Sequence, residues 1–210
     1  MRSAELLVQV ARDLFLRGLT PGTTGNLSIR VGDGTILISP TNSCLGYLVH
    51  DRLSQIDRSG TTIKSSPQPS KELPLHRFFY SDPDVRAVVH LHSPWASALS
   101  CLAQDPREDL ARFTPYFAMK VAPLGLVPYF EPGDMTGADL LREHASNHRA
   151  ALLRNHGTIG AAGTLLEALN IAEEIEHSAR MWFTLQGHGT RLLSATAPGL
   201  RPEYSNPTTS

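Results

Sequence analysis

The sequence predicts a single α/β layered domain in which helices flank a sheet built largely from hairpins. Three observations support this class. Apolar residues recur at helical spacing near both ends of the chain, short alternating runs flank turn signals such as Asp33–Gly34, and a Val-rich run lies at residues 85–92. Hairpins combined with flanking helices indicate a layered domain, and 210 residues are enough to bury a substantial core.

Five segments are predicted to be helical. Near the N-terminus, apolar residues recur at roughly helical spacing, and Gly18 supplies a stop; they are Leu6, Leu7, Val10, Leu14 and Leu16. Pro74 and Pro94 fall in the first turns of two later helices, where the missing N–H group does no harm. The predicted helices span residues 3–17, 71–80, 94–102, 137–147 and 165–186.

The predicted strands alternate with these helices and with turn-rich loops. They span residues 27–31, 35–38, 53–57, 61–64, 85–92, 150–154 and 158–161. Residues 105–135 are rich in proline and aromatic residues and are predicted to be irregular. We expect one domain over residues 1–190 and a C-terminal tail over 191–210, which contains prolines and few apolar residues.

Composition and charge exclude several classes of protein. Nineteen Lys and Arg against 20 Asp and Glu give a formal charge of −1, which argues against a nucleic-acid-binding chain. Two cysteines exclude a disulfide scaffold and suit a reducing cytoplasm. We expect a soluble cytoplasmic protein with neither a membrane span nor a signal peptide. Nine histidines are the one unusual count.

Two of these histidines, His90 and His92, lie on the Val-rich strand. Because side chains alternate along a strand, both project from the same face, with Cα atoms about 7 Å apart. The two imidazoles are either a pair of metal ligands or ordinary surface histidines. The rest of the strand is apolar, and burying two imidazoles there costs free energy unless each is bonded, which favours the metal.

A third ligand and an acid–base group are needed to complete a catalytic site. His156 follows an apolar strand and is either that ligand or a turn histidine. Three histidines leave a zinc-type ion with open coordination positions. Glu72 is the acid–base candidate, or alternatively a helix first-turn acid stabilised by the helix dipole. His76, four residues further on, either supports Glu72 or only packs.

Three polar loops offer donors for an anion. They contain Thr24, Gly25 and Asn26; Thr41 and Asn42; and Ser70 and Lys71. Hydroxyls, amides and one ammonium group near a helix start suit a phosphate, although the same residue types also fill ordinary turns. Dinucleotide and ATP-binding glycine motifs do not occur in the sequence.

Four motifs together resemble the class II aldolase/adducin family. They are residues 22–28 (GTTGNLS), 69–72 (PSKE), 89–92 (VHLH) and 155–158 (NHGT), and the similarity extends from about residue 4 to 187. The resemblance implies a three-layer α/β/α fold with a mainly antiparallel nine-stranded sheet. It also implies a homotetramer with fourfold symmetry and active sites at the subunit interfaces.

The same resemblance assigns roles to individual residues. It implies that His90, His92 and His156 bind a divalent metal, usually zinc, although manganese, cobalt or iron could occupy such a site. It makes Glu72 the catalytic acid. It places Tyr116 near a tyrosine that crosses a subunit boundary, the alternative being a packed aromatic residue. The phosphate-binding residues would be Thr24, Gly25, Asn26, Thr41, Asn42, Ser70 and Lys71.

Further stretches are similar to one branch of the family, the 3-oxo-tetronate 4-phosphate decarboxylases. They are residues 114–117 (TPYF) and 127–134 (VPYFEPGD), together with Lys71 in a position where the aldolases have serine. This implies decarboxylation of a phosphorylated sugar acid to dihydroxyacetone phosphate and CO2 through a metal-stabilised enediolate. Lys71 could orient the carboxylate or bind phosphate. The alternatives are a sugar-phosphate aldolase or 4-epimerase, and an adducin-like non-catalytic interaction domain.

Overall fold

The computed structural model describes residues 3–194, and a seven-stranded sheet forms its centre. The strands are β1 (Asn26–Arg30), β2 (Ile36–Ile38), β3 (Ser54–Ile56), β4 (Ala87–Leu91), β5 (Leu124–Val127), β6 (Ala150–Leu153) and β7 (Gly157–Ala162). Their order across the sheet is β3-β2-β1-β4-β7-β6-β5. Every neighbouring pair is antiparallel except β5 and β6, so the mainly antiparallel α/β class is confirmed.

The sheet has seven strands within the described residues, where the family resemblance implied nine. The strand predicted at residues 61–64 is reduced to a single bridge between Ile56 and Thr62. The Asp57 carboxylate accepts hydrogen bonds from the Ser59 hydroxyl and the Thr61 amide, which folds this segment into a turn. A second isolated bridge joins Pro40 to Pro69, where neither residue has an N–H group to extend a ladder.

Seven α-helices surround the sheet within the described residues. They are α1 (Ser3–Leu16), α2 (Leu73–Phe79), α3 (Pro94–Ser100), α4 (Arg107–Phe113), α5 (Pro115–Lys120), α6 (Thr136–Ala145) and α7 (Leu165–Leu185). Two short 3-10 helices, Leu45–Tyr47 and His50–Arg52, lie between β2 and β3. The five helices predicted from the sequence all form, with ends that differ by a few residues.

The prediction that residues 105–135 are irregular is wrong. This stretch contains α4, α5 and β5. Two of its five prolines are compatible with helices, because Pro106 is the N-cap of α4 and Pro115 occupies the first turn of α5. Leu110 and Phe117 are fully buried and anchor the two helices in the core.

Alternating residues of the sheet build a core on each face, which gives the three layers. On β4, Val89 and Leu91 face a core shared with α1 and α7, whereas Val88 faces a core shared with α2 and α6. Within residues 3–194, every helix is too short or too polar to cross a membrane. The C-terminal tail predicted at 191–210 lies almost entirely outside the described residues.

Candidate active site

The candidate site lies at the carboxyl end of β4, the central strand of the sheet. His90 is paired with Asn26 of β1 on one side and with Ile159 of β7 on the other. Because side chains alternate along a strand, His90 projects on the same face as Val88, toward the layer that contains α2. The fold therefore brings β4 and the N-terminal end of α2 to a common point.

Four side chains converge at this point, from Glu72, His90, His92 and His156. Their potential ligand atoms all lie within 4.8 Å of one another. Glu72 Oε2 is 3.0 Å from His90 Nε2, and Glu72 Oε1 is 3.0 Å from His156 Nε2. The Nε2 atoms of His90 and His92 are also 3.0 Å apart. The structure thus assembles the metal-binding and acid–base candidates that the sequence singled out.

These residues fit a divalent metal ion. His90 donates its Nδ1–H to the Thr158 carbonyl at 2.8 Å, which leaves the Nε2 lone pair directed into the cluster. Within the described part of the chain, both ring nitrogens of His156 and Oε1 of Glu72 are buried without a hydrogen bond. Nitrogen and carboxylate donors are the set that zinc-type ions bind, at about 2.0–2.2 Å. A cation in the cluster would satisfy His156 Nε2 and Glu72 Oε1, which face each other there; it would not reach His156 Nδ1.

The charges of the cluster depend on one another. Burial raises the pKa of the Glu72 carboxyl, but the charge on His90 and contacts from His156 and His90 outweigh it and hold that pKa below its ordinary value. Burial lowers the pKa of His90, but the Glu72 carboxylate outweighs it and raises that pKa. Burial and the charges on His90 and His156 lower the pKa of His92 to about 3. The Glu72 carboxylate is thus stabilised by positive charge on the neighbouring histidines. A bound cation would supply positive charge at the same place.

Two glycines allow the backbone to close around the cluster. A Cβ atom on Gly157 would lie 2.3 Å from the Leu91 carbonyl oxygen, and one on Gly25 would lie 2.9 Å from the His90 carbonyl oxygen. Gly25 also has a φ of 75°, which side-chain-bearing residues rarely adopt. Gly25 was predicted as part of an anion-binding loop. The structure gives it a further role in packing against the strand that carries His90.

Asn26 and Ser70, two of the predicted phosphate-binding residues, contact Glu72. The Asn26 side-chain amide donates to Glu72 Oε2 at 2.8 Å. The Glu72 backbone N–H donates to the Ser70 hydroxyl at 3.3 Å, and the Ser70 N–H donates to the Ser39 carbonyl. Both residues therefore fix the position of the acid.

The remaining loop residues lie in neighbouring turns. The Thr41 N–H donates to the Gln68 carbonyl, and this contact places the loop containing Thr41 and Asn42 beside the loop containing Ser70 and Lys71. Lys71 is exposed. The Thr24 hydroxyl donates to the Pro21 carbonyl within its own turn. Anion binding by these residues remains a prediction.

Tyr116 lies outside the cluster. It is 59% exposed on α5, a helix that packs against α7, and its ring lies 5.6 Å from Lys120 Nζ. The alternative of a buried, packed aromatic residue therefore does not describe it. Its reach into a neighbouring subunit remains a prediction.

Two polar residues that hold the backbone beside the cluster carry no signal in the sequence. The Glu176 carboxylate on α7 accepts hydrogen bonds from the Ser93 hydroxyl and from two N–H groups at the start of α3, directly after His92. Ser100 at the end of α3 accepts the His156 N–H at 3.2 Å. No local motif reveals contacts made across 56 and 83 residues of chain. His76 had a sequence signal in its i+4 spacing from Glu72.

Known proteins are similar to this chain along most of its length. The family model described as Class II Aldolase and Adducin N-terminal domain matches residues 5–183. The 3-oxo-tetronate 4-phosphate decarboxylase of Haemophilus influenzae is 42% identical over 194 residues, covering 91% of this chain and 92% of that protein. The L-fuculose phosphate aldolase of Methanococcus maripaludis is 32% identical, covering 83% and 92%. The crystal structure of YgbL from Escherichia coli superposes with a TM-score of 0.87 at 40% identity, covering 97% of each chain.

Proposed function

Because the chain belongs to the class II aldolase and adducin family, we propose that it is a metal-dependent carbon–carbon lyase that decarboxylates a 3-oxo-tetronate 4-phosphate. The products would be dihydroxyacetone phosphate and CO2. The observation that carries the proposal is the convergence of Glu72 on three histidine nitrogens at the end of the central strand. The decarboxylase named in Haemophilus influenzae supports the choice of substrate class, since it matches this chain along almost its whole length.

His90, His92 and His156 would hold the metal ion. Three nitrogen ligands with open positions favour zinc, and manganese, cobalt and iron are the alternatives. When bound there, the ion supplies Lewis-acid stabilisation of the negative charge that develops on the substrate oxygens.

Glu72 would act as the general acid that protonates C2 after decarboxylation. Breaking the C1–C2 bond releases CO2 and leaves an electron pair on C2, which the C3 carbonyl delocalises as an enediolate. Glu72 is a carboxylate in the structure, so it must take up a proton, ultimately from water, before it delivers that proton to C2. A retro-aldol reaction generates the same enediolate, so the same four side chains could serve an aldolase or a decarboxylase.

The polar loops would bind the two anionic ends of the substrate. We assign the phosphate to the turns containing Thr24, Gly25, Asn26, Thr41, Asn42 and Ser70. We assign Lys71 to orienting the carboxylate, because it is exposed and adjacent to Glu72. Its hold must be loose, because strong stabilisation of the carboxylate would oppose its loss as CO2.

An aldolase acting on a sugar phosphate is the second candidate. The L-fuculose phosphate aldolase of Methanococcus maripaludis favours it, since it matches this chain at 32% identity. The two candidates differ in the leaving group, which is CO2 in one and an aldehyde in the other.

The test compares both substrates on one preparation. Zinc-loaded protein is incubated with 3-oxo-tetronate 4-phosphate and, separately, with L-fuculose 1-phosphate, while CO2, dihydroxyacetone phosphate and aldehyde are measured. We expect CO2 and dihydroxyacetone phosphate from the first and no comparable cleavage of the second. Metal-replete protein that releases no CO2 would refute the decarboxylase, and rapid aldehyde release would favour the aldolase. Loading with manganese, cobalt and iron identifies the preferred ion.

We also propose a homotetramer located in the cytoplasm, with active sites at its interfaces. The exposed ring of Tyr116 is available to a neighbouring subunit, and the free thiols Cys44 and Cys101 suit a reducing compartment. Light scattering on the purified protein measures the assembly, and Tyr116→Phe tests the tyrosine. If the ring reaches the neighbouring site, the variant should lose turnover without losing metal or assembly.

A further inference from the structure

A buried chain of polar side chains leads from Glu72 into the interface between the sheet and α2. It consists of Asn26, His76, Ser28 and Tyr80, and we call it the polar chain. His76 and Ser28 are completely buried, and Asn26 and Tyr80 are nearly so. Four unlike polar groups in a hydrophobic layer cost free energy unless each is hydrogen-bonded, and here each one is.

The direction of every hydrogen bond in the polar chain follows from its end at Glu72. The carboxylate can only accept, so the Asn26 amide nitrogen faces it at 2.8 Å and the Asn26 oxygen faces His76 Nε2. An amide oxygen can only accept, so Nε2 carries the proton of His76. Burial and the charge on His90 lower the pKa of His76 to about 3, so its ring is neutral and Nδ1 has a free lone pair.

The far half of the chain continues in the same direction. With Nδ1 as an acceptor, the Ser28 hydroxyl must donate to it at 2.7 Å. Ser28 Oγ then accepts from the Tyr80 hydroxyl at 2.8 Å. Burial raises the pKa of that phenol above its ordinary range, so it keeps its proton and remains a donor. Every donor in the polar chain therefore points toward Glu72.

We propose that His76 is a positioning residue that acts through Asn26 to hold Glu72 Oε2, leaving Oε1 as the oxygen that exchanges the proton with substrate. This inference rests on the proposed function of Glu72. Oε2 receives the Asn26 hydrogen bond and lies 3.0 Å from His90 Nε2, whereas Oε1 faces His156 Nε2 at 3.0 Å without a hydrogen bond of good geometry within the described residues. Without the N–H of His76, the Asn26 amide could rotate and release Oε2, and the carboxylate would lose its fixed orientation.

Two substitutions at His76 separate this role from simple packing. In His76→Gln the longer amide can still donate to Asn26, as Nε2–H does. In His76→Asn the shorter amide can reach Ser28 but not Asn26. Both variants are polar, so their burial costs are comparable. His177 is exposed, and His177→Gln and His177→Asn provide matched controls.

The experiment measures kcat and KM for CO2 release, zinc content and thermal stability of each zinc-loaded variant. We expect His76→Gln to keep kcat within about fivefold of the parent and His76→Asn to lose tenfold or more, with unchanged KM and zinc content. Equal kcat values for the two variants, or a higher kcat for His76→Asn, would overturn the inference, as would a loss confined to zinc content.

Nitrogen-15 NMR of the histidine rings gives a test that does not depend on turnover. In the zinc-loaded parent protein at neutral pH, His76 should show a proton on Nε2 and none on Nδ1, the resonances being identified by their absence in His76→Gln. A proton on Nδ1 would reverse the chain and overturn the inference. A parent protein without decarboxylase activity would instead refute the proposed function, and the NMR result would still decide the direction of the polar chain.

Discussion

Two glutamates, Glu72 and Glu176, are each 7% exposed, yet their surroundings differ in kind. The Glu176 carboxylate accepts three hydrogen bonds, from the Ser93 hydroxyl and the Trp95 and Ala96 N–H groups. Glu72 accepts one from Asn26, and within residues 3–194 its two oxygens otherwise face only histidine nitrogens, Oε2 that of His90 and Oε1 that of His156, each at 3.0 Å. Burial alone therefore does not distinguish a structural glutamate from a candidate catalytic one. A carboxylate with both oxygens hydrogen-bonded supports the fold, whereas a carboxylate that faces the nitrogens of proposed metal ligands is available for chemistry.

The two sites are linked through β4 and α3. His92 belongs to the cluster around Glu72, and the next residue, Ser93, donates to Glu176. Glu176 thus anchors the backbone directly after His92, through Ser93, Trp95 and Ala96. Substitutions in the cluster around Glu72 should therefore reduce metal binding or turnover, whereas substitution of Glu176 should reduce stability.

The largest effect is expected from His92→Ala. Removing one of the three proposed nitrogen ligands weakens the hold on a zinc-type ion, so we expect stoichiometric metal to be lost on dialysis and turnover to fall more than about a thousandfold. Elemental analysis after dialysis and CO2 release measure the two losses, with His177→Ala as the control. Full metal content in His92→Ala would show that the cluster does not bind the ion through this side chain.

Glu72→Gln should affect turnover alone. The amide keeps the size of the carboxylate but can neither gain nor deliver a proton, so we expect kcat to fall about 100-fold to 10,000-fold. Metal content and thermal stability should remain close to those of the parent. Retained full activity would remove Glu72 from the proton transfer.

Glu176→Gln should show the opposite pattern. The NH2 group of the glutamine cannot accept the hydrogen bonds that one carboxylate oxygen of Glu176 accepts. Losing such hydrogen bonds to a charged group costs about 1.5–3 kcal/mol. For a chain of this size, that lowers Tm by about 3–12 °C. Metal content and kcat per folded molecule should remain near the parent values. Loss of metal equal to that in His92→Ala would mean that the two sites are not separate.

The sequence predicted the Glu72 side of this comparison far better than the Glu176 side. His90 and His92 are two residues apart on an apolar strand, and His156 and Glu72 lie in short motifs, so local spacing carried the information. Glu176 lies within a long helix, and its partners are 80 to 83 residues away. Only tertiary packing brings them together, and no periodicity along the chain records it.

Local sequence patterns gave a wrong prediction for residues 105–135 and an incomplete one for Asn26. The prolines of residues 105–135 predict an irregular segment, yet two of the five, Pro106 and Pro115, lie at helix starts, where they are compatible with helix formation. At Asn26, residue type indicated a polar role but not its partner. The structure directs that side chain to Glu72 and His76, so a residue expected to bind phosphate also holds the acid.

The smallest effect should appear in the pH dependence of the free energy of unfolding. His76, which belongs to the polar chain that leads from Glu72, is the residue that causes it. Its pKa is about 3 in the folded protein against an ordinary 6.5, so the unfolded chain binds more protons below pH 6.5. Stability that is present above pH 6.5 is therefore lost as the pH falls from 6.5 toward 3. The loss attributable to His76 is about 2 kcal/mol at pH 5.

Denaturant unfolding of the metal-free proteins at pH 7 and pH 5 measures this loss. His76→Gln cannot bind that proton, so its stability should fall about 2 kcal/mol less than that of the parent between the two values. Glu176→Gln should keep the parental dependence, because the donors around Glu176 are a hydroxyl and backbone amides that do not titrate in this range. If His76→Gln follows the parent, the buried imidazole is not held neutral, and the distinction between the two glutamates rests on the metal ligands alone.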